Sequence, residues 1–334
     1  MSTAKVVAFD LEGPLSPFDH AFEVMAREIP EGKKAFQVIS RYDDLLTLER
    51  REDYEPGDTL ALIIPFLLYF QVGEEELHRV SQEAGLVAGA KELVDQLRGE
   101  WQLYIVSTSY RPHALNIAQQ LGIPPENVYS SRFPAGQPLT ERERQLIREA
   151  WDYLREHLYA EDLESGAKDR EIKDYLDRFF WEELAQTSLA SLLSDRTLIM
   201  GGRKKVRAVE EISRRHQTFL REMVVVGDSI TDFRMLQVAE AAGGLALVFN
   251  GNEYALPYGT VGVASRSLYD LLPLLKSWLR GGRKEVKEFV EQKAPAPPPY
   301  YHWLPGREQE EWDEVVAVHK KLRRTVRGEA GILG

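Results

Sequence analysis

Short apolar runs alternate along this chain with stretches of helical period. Val6–Phe9, Leu103–Ser107, Val128–Ser131, Met223–Val226 and Leu245–Phe249 are brief and nearly continuous in their apolar character, as strands buried on both faces read. Between them, Ala90–Leu97, Pro112–Leu121, Val206–Arg215 and Asp232–Ala241 carry apolar positions at helical spacing. The alternation predicts an open, doubly wound, mostly parallel α/β sheet. Two stretches break it. Residues 17–85 read as all-helical, with Ala21–Arg27, Ala35–Leu48 and Leu60–Phe70 as the helices; residues 134–200 are again helical and highly charged, notably in Glu141–Leu158 and Asp169–Leu193. Each follows a strand, where open α/β sheets carry their ligand-facing loops, so both read as lids over a site. The expected organisation is a core of residues 1–16, 86–133 and 201–280, a helical cap at 17–85, a second helical insertion at 134–200, and a tail at 281–334. That tail joins a proline-rich stretch, Ala294–Pro299, expected to be extended, to a helix over Arg307–Arg327. With Trp312, Val315, Val316, Val318 and Leu322 on it, this helix either packs back on the core or docks a protein partner.

Composition removes several function classes. Lys and Arg number 42 against 53 Asp and Glu, a net charge of −11, which disfavours binding to nucleic-acid backbones but leaves room for a local anion pocket. The absence of cysteine excludes disulfides, thiolate metal sites and cysteine nucleophiles. The longest apolar stretch, Leu60–Phe70, falls well short of the roughly 20 residues of a membrane span, and Met1–Asp10 has no secretory apolar segment. A cytoplasmic protein is expected.

The chemistry gathers at strand ends. Val7–Gly13 ends an apolar strand in Asp10 and Glu12, two residues apart and on one side of an extended chain. One carboxylate suits a nucleophile or metal ligand, the other an acid/base; such acids also begin turns. Ser107-Thr108-Ser109 closes the second strand and offers hydroxyls and backbone N–H groups to an anionic oxygen, or simply caps the next helix. Arg203-Lys204-Lys205 opens a helix, where cations oppose the helix dipole and call for an anion nearby. Val224–Asp232 (VVVGDSITD) ends a strand in Asp228 and opens a helix at Asp232; with Asp10 these carboxylates form an oxygen-rich set for a hard cation such as Mg²⁺. His20, His113, His216, His302 and His319 lack metal-ligand spacing and read as surface or capping residues.

Taken in order, Asp-x-Glu-Gly, strand-Ser, Lys before a helix and Gly-Asp-Ser-x-x-Asp resemble the haloacid dehalogenase superfamily of phosphohydrolases, over residues 4–270 and in its phosphoserine phosphatase-like branch. The resemblance implies a Mg²⁺-dependent phosphatase acting on a small phosphorylated metabolite. Asp10 would form an aspartyl-phosphate and Glu12, where Asp is usual, would serve as acid/base. Ser107, Thr108 and Lys205 would bind the phosphoryl group; Lys205 rather than Lys204 matches the motif lysine by its distance from Ala208, Val209 and Ile212. Asp10, Glu12 through its backbone carbonyl, Asp228 and Asp232 would hold Mg²⁺. Asp19 stands where phosphoserine phosphatases carry a substrate-contacting Glu, and could meet a substrate amine or cap the next helix.

Asp10–Pro14, Asp19–Glu23, Tyr42-Asp43-Asp44 and Gly57–Leu60 look closer still to the family of energy-converting hydrogenase A subunit R. That likeness raises an alternative, a non-catalytic or regulatory subunit of a larger complex; a phosphotransferase on the same site is a third. The chain departs from the phosphoserine phosphatase pattern in having Pro14 after the glycine, a second insertion, and no counterpart of the cap arginine that grips a substrate carboxylate, Arg50 and Arg51 being poorly placed for it.

Overall fold

The structure, a computed structural model, describes residues 5–49, 51, 54–55, 57–156, 166–194, 198–293 and 297–332. The chain opens with β1 (Lys5–Phe9) and then leaves the sheet for four helices: α1 (His20–Glu28), α2 (Gly32–Leu48), α3 (Thr59–Tyr69) and α4 (Glu74–Ser81). After α5 (Ala90–Leu97) it returns as β2 (Trp101–Tyr110), α6 (Arg111–Leu121) and β3 (Val128–Ser131). The second excursion holds α7 (Glu141–Glu156), α8 (Asp169–Arg178) and α9 (Ala190–Ser194). It is followed by α10 (Gly202–Arg215), β4 (Met223–Gly227), α11 (Phe233–Ala242), β5 (Leu245–Phe249), β6 (Val261–Ala264), α12 (Leu272–Glu291), β7 (Tyr300–Trp303) and α13 (Gln309–Arg327).

The strands form one seven-stranded sheet in the order β3-β2-β1-β4-β5-β6-β7. Every pairing is parallel except β6 with β7. The expected doubly wound α/β architecture is therefore present. Strand alternation sends Val7, Phe9, Val224 and Val226 into one apolar layer and Val6, Ala8, Val225 and Met223 into the other, so neither face of β1 or β4 meets water. The strand order reverses about β1, and β1 and β4 are neighbours with Phe9 opposite Val226. Their carboxyl ends thus emerge side by side at the switch point, where such sheets place ligands.

The two helical excursions share a single apolar core. Phe66 of α3 lies 5.6 Å from the Trp151 ring of α7 and 5.8 Å from that of Phe179. The Tyr42 hydroxyl of α2 donates to Asp177 of α8 at 2.6 Å. The sequence reading of Asp169–Leu193 as helix holds only in part: α8 ends at Arg178 and gives way to a π-turn, Phe179–Glu183, and a 3₁₀ turn, Leu184–Gln186. β6 and β7, not anticipated, extend the sheet. The end of the helix expected over Glu141–Leu158 and residues 294–296 of the proline-rich stretch lie outside the described residues. Of the two fates open to the tail helix, the structure shows the first: α13 packs back against the sheet, burying Val315, His319 and Leu322.

Candidate active site

Asp10 follows the last residue of β1, and its N–H donates to the Val226 carbonyl of β4 at 2.7 Å, which ties the two strand ends together. Asp228 and Asp232 follow β4, and each of the three acids offers an oxygen within 4.8 Å of the others'. All three are buried. Lys205, one turn into α10 and wholly buried, donates to Asp10 Oδ1 and to Asp232 Oδ1, both at 2.6 Å. The other oxygen of Asp232 accepts the N–H groups of Asp228 and Ser229 at 2.9 and 3.1 Å. One ammonium and a turn of backbone therefore fix two of the three carboxylates. Lys204 points elsewhere, donating to the Ile199 carbonyl.

Gly13 explains the glycine in Asp-x-Glu-Gly. Its φ is +115°, and a Cβ there would overlap the Asp228 carboxylate. Only glycine accepts both the backbone and the contact.

Electrostatics follow from burial. Desolvation raises the Asp10 pKa, and Asp232 adds to the rise while Lys205 opposes it. Burial likewise raises Asp228, against the pull of Arg323 and Arg327. For Lys205 burial works toward neutrality, but Asp10 and Asp232 outweigh it and hold the ammonium above its usual value. Glu12 is pushed up to about 8 by burial and by the Asp19 charge, so it carries a proton at neutral pH despite accepting the His20 N–H at 3.0 Å.

The donor set fits a hard divalent cation. Three carboxylates converge, and Asp228 Oδ1 is buried with no hydrogen-bond partner among the described residues. A bare buried carboxylate oxygen costs several kcal/mol unless something binds it, and oxygen ligands of this kind suit Mg²⁺.

Above these acids lies a cavity of about 90 Å³. Its floor is Asp10, Glu12, Ser107 and Thr108; the cap supplies Asp19, Phe36, Ser40, Asp43, Thr59 and Leu60. The Thr108 hydroxyl is buried and unpartnered among the described residues, whereas Ser107 Oγ accepts the Ser109 N–H at 3.1 Å. Of the two readings offered for Asp19, the structure shows the helix cap. Asp19 accepts the Phe22 N–H of α1 at 3.0 Å, and it lines the cavity.

Two groups escaped the sequence reading. His20 and His113 are not surface residues: both are fully buried, with rings stacked at 4.9 Å, and His113 Nε2 lies 3.9 Å from Glu12 Oε1. His319 is also fully buried. The second group is Arg323 and Arg327, which α13 inserts into the site. Arg323 Nη1 donates to Asp228 Oδ2, and Arg327 Nη1 reaches the same oxygen at 3.4 Å. No motif marks them; the only hint was their one-turn spacing on a helix with an apolar stripe.

No protein-family model and no curated protein matches the chain. Solved structures do. A gene product from Archaeoglobus fulgidus is 25% identical and superposes with a TM-score of 0.82, covering 99% of each chain. A phosphoserine phosphatase carrying an analogue of its phospho-aspartyl intermediate superposes at 0.50 with 14% identity, over 81% of this chain and 99% of that one. A substrate-bound phosphoserine phosphatase gives 0.50 at 13% identity, over 82% and 99%. Strand order, excursions and these superpositions together identify the fold as that of the haloacid dehalogenase-like phosphatases.

Proposed function

We propose that this chain is a Mg²⁺-dependent phosphohydrolase that cleaves a small phosphorylated metabolite through an aspartyl-phosphate on Asp10. The observation that carries the reading is the Asp10–Lys205–Asp232 array, with Asp228 beside it, at a half-open cavity at the joined ends of β1 and β4. Asp10, Asp228 and Asp232 would hold Mg²⁺, which supplies fixed positive charge to the phosphoryl oxygens.

The chain's own groups do the rest. Lys205 orients the Asp10 carboxylate by its bond to Oδ1 and offsets negative charge where the phosphoryl group sits, as phosphoryl transfer requires. An Asp10 oxygen attacks phosphorus, and the bond to the leaving oxygen breaks. Glu12, protonated at neutral pH, gives that oxygen its proton. Glu12 then takes a proton from water as the water oxygen attacks the same phosphorus, releasing phosphate and restoring Asp10. The Thr108 hydroxyl, lacking an internal partner, is available to a phosphoryl oxygen. The cap supplies part of the cavity wall, through Asp19, Phe36, Ser40, Asp43, Thr59 and Leu60.

The alternative of a non-catalytic subunit of a hydrogenase-like complex draws on the subunit R resemblance. It loses one support, since α13, the helix offered for a partner, is docked on its own core.

The test is phosphate release from a panel of phosphomonoesters, with Mg²⁺ or with EDTA, for wild type and Asp10→Asn. Turnover that needs Mg²⁺ and falls by about 10³-fold or more in Asp10→Asn supports the reading. Silence across the panel from folded protein, or turnover indifferent to Asp10, overturns it.

A further inference from the structure

Among the described residues, every basic side chain lining the cavity comes from α13: the lining holds Arg323 and Arg327 against the acids Asp10, Glu12, Asp19 and Asp43. The two arginines differ in how far they are committed. Arg323 is spent on structure. Its Nη1 donates to the Asp228 carboxylate and, at 3.3 Å, to the Asp228 carbonyl, while its Nε donates to the Gly331 carbonyl at 3.2 Å. Arg327 is not. Its side chain is 5% exposed, its contacts to Asp228 and Asp19 are long at 3.4 and 3.7 Å, and its buried Nε has no partner among the described residues.

A buried guanidinium with a free donor is costly unless a ligand completes it, and its planar fork matches a carboxylate or a phosphate oxygen pair. The transferring phosphoryl group already has Lys205 and Thr108 beside Asp10. The cap contributes no cation to the cavity among the described residues. Helix α13 is held firmly enough to present a side chain. His319 Nδ1 accepts the Gly251 N–H at 3.2 Å, Lys320 pairs with Glu253 at 2.9 Å, and Val315 and Leu322 are buried.

We propose that α13 is part of the substrate site: Arg327 binds a second anionic group of the phosphomonoester, away from the transferring phosphoryl, and Arg323 is a positioning residue that holds Asp228. The substrate class is thus a small phosphate ester that also carries an acid. The proposal rests on the phosphohydrolase reading of the site and adds the C-terminal helix as its specificity element.

The experiment measures binding, so it does not depend on turnover. Calorimetric titration of the full chain with Mg²⁺ compares 3-phosphonopropanoate with propylphosphonate, which differ in the second acid. Wild type is expected to prefer 3-phosphonopropanoate by about 10-fold or more, as one charge-assisted contact supplies. In Arg327→Met the ratio of the two dissociation constants falls to near unity, and Arg327→Lys restores part of it. Arg324→Met, an exposed change one turn away, keeps the wild-type ratio, and thermal melts confirm folding in each. Equal affinities in wild type, or equal weakening of both phosphonates by Arg327→Met, overturn the proposal. An Arg327-dependent preference without turnover of any ester would defeat the phosphohydrolase reading, and with it the substrate assignment, leaving only an anion contact at Arg327; turnover without preference would overturn this proposal alone.

Discussion

The cavity is built by two regions that solve the same problem differently. The ends of β1 and β4 hold carboxylates within a few residues of one another and balance them with Lys205, whose two bonds are both 2.6 Å. Helix α13 instead brings Arg323 and Arg327 to Asp228 from a helix packed on the sheet outside the β1–β4 pair. The first region is held by the sheet itself: pairing of β1 with β4 brings the acids together, although Lys205 lies 195 residues from Asp10 along the chain. The second is a docking event, and its cations reach the site only if the helix stays seated. The difference is one of support: the acids and Lys205 are fixed by the sheet and the start of α10, the two arginines by the seating of α13.

The largest expected contrast is between the two buried cations. Lys205→Met leaves Asp10 and Asp232 facing each other with no cation between them. Breaking a buried pair in this way costs about 3–5 kcal/mol. Arg323→Met leaves Asp228 with Arg327 at 3.4 Å, so its loss should be visibly smaller. Urea unfolding in EDTA measures both. A larger loss in Arg323→Met would break the comparison and make α13 the structural keystone.

Two glycines give a smaller version of the same test. Gly13 has φ +115° and no room for a methyl group beside Asp228, whereas Gly328, just beyond α13, has φ +58° with nothing within 4 Å of a built Cβ. Gly13→Ala therefore adds a clash to backbone strain and is expected to cost about 2–3 kcal/mol and to displace the Asp228 carboxylate. Gly328→Ala meets strain alone, about 1–2 kcal/mol, since φ +58° with ψ −128° is backbone that favours glycine. Thermal melts and Mg²⁺ titration read the pair. Equal stability losses, or unaltered Mg²⁺ binding in Gly13→Ala, would show that the Asp228 contact does not constrain the site.

This division is also the division between what was legible in the sequence and what was not. Asp10, Glu12, Lys205, Asp228 and Asp232 could be read because each sits at a fixed offset from an apolar run that ends a strand or opens a helix. Local backbone geometry converts such offsets into convergence once the strands are neighbours. The parallel sheet was legible for the same reason, β1, β4 and β5 being short apolar runs and β2 carrying one at its centre, with Val128–Ser131 the weaker signal. β6 and β7 were not: Val261–Ala264 contains a glycine and Tyr300–Trp303 is half-buried and polar at His302, so neither reads as a core strand. The burial of His113 depends on α6 facing the cap, and that of Arg323 and Arg327 on the docking of α13 over the end of β4. Both are tertiary facts with no local period. The missing cap arginine was noticed in the sequence; that a cation could arrive from the opposite end of the chain was not visible there.

The smallest expected effect separates the regions by pH. His319 is buried where α13 meets the sheet, its Nε2 3.2 Å from His302 Nδ1. Burial and the neighbouring His302 hold its pKa well below the usual histidine value, and burial with Arg307 brings His302 down to about 4. A histidine depressed on docking binds fewer protons in the docked state than in the free one. Its contribution is thus complete above about pH 6.5 and is lost as pH falls below that value, by at most about 1.4 kcal/mol per pH unit for His319. Asp43 of the cavity wall has the opposite sign. Burial and Asp44 raise it to about 7, so its contribution is complete below the usual carboxylate pKa near 4 and disappears as pH rises through 7. Taking the metal-free protein from pH 7.5 to 5.5 should therefore loosen α13 by about 1 kcal/mol while the wall around Asp43 tightens. Hydrogen exchange, corrected for intrinsic rates, should show α13 amides losing protection as α2 amides gain it. His319→Gln should flatten the first trend and Asp43→Asn the second. Parallel movement of the two helices would mean that α13 does not undock separately, and that the two regions form one cooperative unit.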